Sequence, residues 1–265
     1  MNSSRRKKQG AGKPKPSAAP NGLEAVSGVH AVRALLDHQT PDYAWVQEGA
    51  SERRLIEVIE ALRAKGVSVE FKTRQALEQA MGPVAHQGIV AFCQPLSFEG
   101  EQRLYWEAER VEEPALWLVL DGVTDPHNFG ACLRSADAAG VKGVIVPKDK
   151  SAPLNGIVRK VACGAAEAMP VYQVVNLART LSKLKELGVW IIGTAGEAEQ
   201  SVFGADFNAH VALVMGAEGK GMRRLTREAC DHLVKLPMQG SVSSLNVSVA
   251  TGICLFEAVR QQRPH

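Results

Sequence analysis

The chain has 265 residues, 45% hydrophobic and 22% charged, with a formal net charge of +3. That suffices for one large domain or two modest ones with real cores, and no run approaches the roughly 20 apolar residues that cross a bilayer. The opening MNSSRRKKQG lacks the apolar stretch of a secretory signal, so a cytoplasmic protein is expected.

Residues 1–22 carry Arg5, Arg6, Lys7, Lys8, Lys13 and Lys15 and no acidic residue, which leaves the remainder of the chain at −3. So few apolar residues predict a disordered tail, whose charge suits a phosphate backbone or simple solubility. From Leu23 to about Pro95, helical and extended patterns alternate. A helix is predicted over Val29–Leu36, a strand near Ala44–Val46, a helix over Glu52–Lys65 and a strand over Val67–Phe71. A helix near Arg74–Ala80 and a strand over Gly88–Phe92 complete a small α/β domain. Residues 96–113 are charged and weakly periodic, and are read as a linker or a peripheral solvated helix.

From Pro114, apolar runs at Leu116–Leu120, Gly143–Val146, Val171–Val175, Val189–Ile192, Val211–Met215 and Leu233–Leu236 alternate with helical stretches. Runs apolar on both faces predict a parallel sheet covered by helices. A last helix is predicted from Ser244 to about Arg260. One stripe carries Leu245, Val249, Ile253 and Phe256 and another Val247, Ala250 and Cys254, which suggests burial against a partner.

Five cysteines, Cys93, Cys132, Cys163, Cys230 and Cys254, are scattered and never form CxxC, so each is expected to be a small buried hydrophobe. No histidine pair has one-turn helical spacing, and no metal site is expected.

Four turns follow strand candidates, where open α/β sheets bind ligands. The first, Asp121 to Asp137, starts a helix near Asn128 and places Arg134 six residues on, types that suit a phosphate or ribose as well as a helix cap and a surface arginine. The second is Gly193-Thr194-Ala195-Gly196 and the third Gly216-Ala217-Glu218-Gly219-Lys220-Gly221-Met222, which lacks the Lys-Ser/Thr of a Walker loop. There is no GxGxxG after any strand, so a dinucleotide site is disfavoured. The fourth runs from Leu236 to Ser248. Ser243 or Ser244 reads as a helix cap, and Asn246 as an amide inside an apolar helix that must find partners.

Asn128–Arg134, Met215–Gly219 and Ser241–Asn246 together resemble the three motifs of the SpoU branch of the SPOUT RNA methyltransferases, and the resemblance covers nearly all of residues 26–262. Val26-Ser-Gly28-Val-His30 and His86-Gln87-Gly88-Ile are similar to that family's amino-terminal domain. The resemblance implies a SPOUT domain over 114–265, with a parallel sheet and a trefoil knot. It also implies an RNA substrate-binding domain over 23–95, of the ribosomal-protein L30e/L7Ae-like type, and a homodimer formed through the carboxyl-terminal domain. The implied activity is methyl transfer from S-adenosyl-L-methionine to the ribose 2′-hydroxyl of a guanosine in the P-site loop of 23S ribosomal RNA. Thr194, Gly196, Gly216, Leu236, Met238, Ser243 and Leu245 would line the cofactor pocket, and Asn128, Arg134, Glu218 and Asn246 would form the catalytic group. A guanidinium is an awkward base, so a positioning role is expected for Arg134, with Glu218 orienting it or receiving the proton. Two other readings stand beside this one: a transfer RNA methyltransferase of the same family, and a non-catalytic RNA-binding assembly factor. With the body of the chain acidic, RNA contacts are expected at Lys148, Lys150, Arg159 and Lys160, and at Lys220, Arg223, Arg224 and Arg227.

Overall fold

The computed structural model describes residues 22–81 and 86–262, so the basic tail, up to residue 21, lies outside the described residues. Two sheets organise them. The first contains β1 (Glu24–Ser27), β2 (Tyr43–Gln47), β3 (Ser68–Lys72) and β4 (Ile89–Cys93) in the order β1-β4-β2-β3, with α1 (Val29–His38), α2 (Arg53–Ala64) and α3 (Arg74–Met81) between strands. β4, Ile-Val-Ala-Phe-Cys, is buried throughout because both faces of the sheet are covered. Val32, Leu35 and Leu36 of α1 and Leu55, Val58 and Leu62 of α2 pack on one face, and Leu77 of α3 packs with Val90 and Phe92 on the other. β1 was not expected: Glu-Ala-Val-Ser has no clear alternation, and its pairing with β4 is a long-range contact that local pattern does not reveal.

The two segments singled out in this half meet at the start of α1. Gly28, at φ +99°, donates its N–H to Ile89 O, and Gln87 Oε1 accepts from Val29 N at 3.0 Å. A side chain there would be strained at that φ, and its Cβ would stand 3.0 Å from Gln87 Oε1.

The charged stretch 96–113 is more than a linker or a solvated helix. Leu96 and Phe98 pack on the second core, Glu99 bridges to Tyr172, and α4 (Glu101–Ala108) buries Leu104 and Ala108. Arg103 faces outward, whereas Glu101 accepts from Val175 N and Glu107 from the buried Tyr172 hydroxyl, long-range partners that a short charged stretch does not reveal in the sequence.

The second sheet is parallel, in the order β7-β6-β5-β10-β8-β11-β9. Its strands are β5 (Leu116–Asp121), β6 (Gly143–Pro147), β7 (Val171–Val174), β8 (Trp190–Thr194), β9 (Gln200–Ser201), β10 (Val211–Gly216) and β11 (His232–Lys235). The helices are α5 (Pro126–Ala138), α6 (Gly156–Ala162), α7 (Ala165–Ala168), α8 (Leu177–Glu186), α9 (Arg224–Glu228) and α10 (Val247–Gln262). Alternate residues of β5 serve opposite cores: Leu116, Leu118 and Leu120 lie with α5 and α10, and Trp117 and Val119 with α4 and α8. β10 sits between β5 and β8, so the ends of β5, β10, β8 and β11 lie side by side.

Two helix starts differ from expectation. α5 begins at Pro126, capped by Asp125, whose carboxylate accepts from His127 N at 2.8 Å. α10 begins at Val247, and neither Ser243 nor Ser244 caps it. Asn246 precedes the helix, its Oδ1 accepting from Ser248 N at 2.9 Å and from the Ser248 hydroxyl. Among the described residues, no helix is long and apolar enough to cross a membrane.

Candidate active site

The site is built on the strand ends. Gly216 closes β10, and a Cβ there would fall far inside contact distance of the Gly221 carbonyl carbon and Met222 N, and 2.8 Å from Gly221 Cα. That close approach lets the chain fold back at once, with Ala217 and Gly221 exchanging backbone hydrogen bonds at 3.1 and 2.9 Å. Asp121, buried at the end of β5, accepts from Arg223 N at 2.8 Å and from Arg223 Nε at 2.6 Å. Both limbs of the loop are thereby held, and Glu218 stands at its tip. The Asp121–Arg223 pair was not singled out for this role, although a carboxylate ending a six-residue apolar strand was the available signal.

Two side chains from distant segments meet at Glu218. Its Oε1 accepts from Asn128 Nδ2 at 3.0 Å, from Asn246 Nδ2 at 2.8 Å and from Val247 N at 3.4 Å. Asn246 Nδ2 also donates to Asn128 Oδ1 at 2.9 Å. The Asn246 amide cannot turn over without losing both sets of bonds, because its oxygen caps α10 while its nitrogen serves the cluster.

Beside this cluster opens a cavity of about 710 Å³, walled by the turns after β8, β10 and β11. Thr194, Gly196, Gly216, Leu236, Met238, Ser243 and Leu245 all line it, as do Glu218 and Asn246. The wall mixes apolar side chains with glycine backbone, a surface suited to a flat ring system and to backbone hydrogen bonds. Thr194 Oγ1 donates to Val214 O at 3.0 Å, which fixes the hydroxyl against the sheet.

Arg134 stands apart. It is exposed on α5, about 9 Å along the axis from Asn128 at the usual helical rise, and its Nη1 donates to Cys163 Sγ at 3.6 Å. Cys163 is itself exposed, contrary to expectation, because it ends α6 in the left-handed conformation and is thus turned out of the core. The basic candidates also divide. Lys148, Lys150 and Lys220 are exposed, whereas Arg223, Arg224 and Arg227 are engaged by Asp121, Glu228 and Glu197. Arg159 is buried and cannot be a surface RNA contact, since its guanidinium is enclosed between the two sheets' domains.

Residues 115–256 match the SpoU rRNA Methylase family, and residues 25–99 match the RNA 2'-O ribose methyltransferase substrate binding family. The chain is 59% identical over 244 residues to the 23S rRNA (guanosine-2'-O-)-methyltransferase RlmB of Pseudomonas putida, covering 91% of this chain and 98% of that protein. It is 54% identical over 241 residues to the enzyme of the same name from Escherichia coli K12, covering 90% and 99%. Among solved structures, an RNA 2'-O ribose methyltransferase superposes with a TM-score of 0.76 at 27% identity, over 91% of this chain and 89% of that one. The SpoU methyltransferase AviRb from Streptomyces viridochromogenes, solved in complex with AdoMet, superposes at 0.74 with 25% identity, over 91% and 90%. With its strand-end cavity, its polar cluster and these likenesses along both halves, the chain belongs to the SpoU rRNA methylase family.

Proposed function

We propose that this protein transfers a methyl group from S-adenosyl-L-methionine to the ribose 2′-hydroxyl of a guanosine in 23S ribosomal RNA, within the P-site loop. The observation that carries this reading is the convergence of Asn128, Glu218 and Asn246 from three segments onto the lip of one cavity. The cofactor fits the residues present: Gly196 and Gly216 leave backbone bare, Leu236, Met238 and Leu245 offer apolar surface for the adenine, and Thr194 and Ser243 add hydroxyls. When bound, S-adenosylmethionine supplies a methyl group already activated by its sulfonium.

The chain's own part is alignment and proton handling. A 2′-hydroxyl is a weak nucleophile, and holding it in line contributes on the order of 7 to 11 kcal/mol. Asn128 and Asn246 hold Glu218 and the ribose, Glu218 receives the hydroxyl proton, and Arg134 grips a phosphate of the target with its planar fork. A guanidinium stays protonated at any working pH, so it serves as a clamp and not as a base.

The same reading divides the chain into an RNA substrate-binding domain at 23–95, of the L7Ae/L30e-like type, and a methyltransferase domain at 114–265. A trefoil knot in the second domain belongs to the same reading. A homodimer is supported by the α10 face that carries Val249, Ile253 and Phe256, all exposed in the single chain. A cytoplasmic location follows from the ribosomal RNA substrate.

The test is incubation with methyl-labelled cofactor and unmethylated 23S ribosomal RNA. Label on the ribose of one guanosine is expected, and label on a base refutes the reading. Replacing Arg134 by Lys should lower the rate at saturating RNA; a rate near that of the parent protein removes the fork from the mechanism.

A further inference from the structure

The two domains are joined through α6. On one side, Gly130 of α5 lies so close that a Cβ there would stand 2.9 Å from Val158 O and 2.8 Å from the Val161 side chain. On the other, a Cβ on Gly156 would stand 2.8 Å from Ala25 O of β1, and one on Gly164 would stand 2.8 Å from Ala34 of α1. One helix is therefore packed without slack between the helix that carries Asn128 and Arg134 and the first strand of the amino-terminal domain.

Arg159 lies at the centre of this joint, 1% exposed. Its Nε donates to Glu167 Oε1 at 2.8 Å within its own domain. Its Nη1 donates to Glu24 Oε2 at 2.8 Å, Cys93 Sγ at 2.9 Å and Gln94 O at 3.3 Å, and its Nη2 to Gln39 Oε1 at 2.7 Å, all four in the amino-terminal domain. Two carboxylates share one guanidinium, and Glu167 Oε2 is buried with no hydrogen-bond partner among the described residues. Burying such a group is a poor way to gain stability, because desolvation offsets most of the attraction. What the arrangement does provide is direction. The planar donors of Arg159 are satisfied in only one orientation of the two domains, whereas an apolar contact would tolerate sliding.

We propose that Arg159 is a positioning residue for methyl transfer, locking the RNA-binding domain at one orientation on α6, a single helix layer from Asn128 and Arg134. The substrate it selects is then a folded RNA that contacts both domains at once, its target ribose held at a set distance from the cavity. This rests on the RNA methyl-transfer reading above, and the experiment separates the two. In the full-length protein, Arg159→Met retains volume but removes the donors. The KM for a folded 23S ribosomal RNA fragment should rise by at least about tenfold, with kcat and the calorimetric affinity for S-adenosylmethionine within about twofold. Arg159→Lys, keeping the charge but not the fork, should recover part of the lost KM. An unchanged KM overturns the proposal, and so does a parallel loss of kcat or cofactor affinity, which would mark damage to the catalytic domain. Should Arg159→Met fail to fold, Gln39→Ala removes one acceptor on the RNA-binding side and should raise KM alone; equal kinetics to the parent protein overturn it. Absence of methyl transfer by the parent protein itself would strike the functional reading and not the joint.

Discussion

Gly216 and Gly196 both border the cavity, yet they should respond to substitution in opposite ways. A Cβ at Gly196 meets nothing within 4 Å among the described residues. At Gly216 it would overlap backbone atoms of Gly221 and Met222, so no side-chain movement relieves it. That backbone is fixed twice, by the Ala217–Gly221 hydrogen-bond pair and by Asp121 on Arg223. To admit a methyl group the loop must recede by about 1 Å, breaking one or both anchors at roughly 1 kcal/mol per neutral bond and about 1.5–3 for the charged one. The stability loss should thus be about 2–4 kcal/mol, within the range of an overpacked core. Glu218 moves with the loop, and an error of that size at a reacting group is worth about 10² in rate. Calorimetry with S-adenosylmethionine, single-turnover methyl transfer and urea unfolding should therefore all report a severe defect in Gly216→Ala. Gly196→Ala should stay within about twofold of the parent in each. Near-normal cofactor affinity in Gly216→Ala would refute the reasoning, since it would show that the loop is not held as described.

Glu218→Gln preserves an acceptor for both asparagines but removes the charge, so cofactor binding should persist while the single-turnover rate falls by about 10² or more; a fall below about threefold would exclude proton transfer to this residue. Phe256→Asp places a charge on the exposed apolar stripe of α10, 51% exposed in the single chain, and sedimentation should shift from dimer to monomer; an unchanged boundary disproves that face as the interface. Cys163 is the exposed thiol, whereas burial pushes Cys93 and Cys132 up to about 11 and Cys230 and Cys254 up to about 12. One fast-reacting thiol per chain is expected, and a bulky adduct there should slow methyl transfer by displacing Arg134; two fast thiols would contradict the burial described. Burial raises the Glu24 carboxyl above its ordinary 4.5, Arg159 opposing the shift and Glu167 adding to it. A raised pKa means that the folded state holds the proton more tightly. This group's stabilisation is therefore fully present below 4.5 and is lost as the pH rises through the folded value. The urea midpoint of Glu24→Gln, relative to the parent, should accordingly rise between acid and neutral pH, and a falling difference would reverse the sign argued here.

Much of the carboxyl-terminal sheet was readable from the chain because a strand buried on both faces leaves an uninterrupted apolar run. β5, β6 and β10 fall on such runs, whereas β7, β8 and β11 coincide with shorter apolar runs and are only partly buried. The turns were readable for a related reason, since glycines and polar residues directly after apolar strands mark the ligand edge of an open sheet; the seven cofactor residues were implied by the family resemblance alone, and all of them line the cavity at those turns. What stayed hidden depends on partners distant in sequence. β1 is defined by β4, and the start of α10 is defined by the need of Asn246 to serve Glu218 and cap the helix together. Arg159 is the clearest instance. Beside Lys160 in a helix it reads as solvated charge, and only the arrival of Glu24, Gln39 and Cys93 from the other domain makes it an interior residue.

The polar cluster ties residues 90, 118 and 28 positions apart in the chain. No pair of these side chains has a fixed geometry without the third, because Asn128 reaches Glu218 from the first turn of α5, Asn246 reaches it from the cap of α10, and Glu218 is at the tip of a loop held from β5. Closing such separations is unfavourable in entropy, and the contacts reward it only when all are made. The site is therefore complete only once α10 has docked on α5, where Thr251 meets Cys132 and Gly252 approaches Ser135. In this fold the docking of the last helix and the assembly of the polar cluster at the lip of the cavity are one structural event, which is why the residues proposed to carry the chemistry are spread over three motifs and not gathered in one.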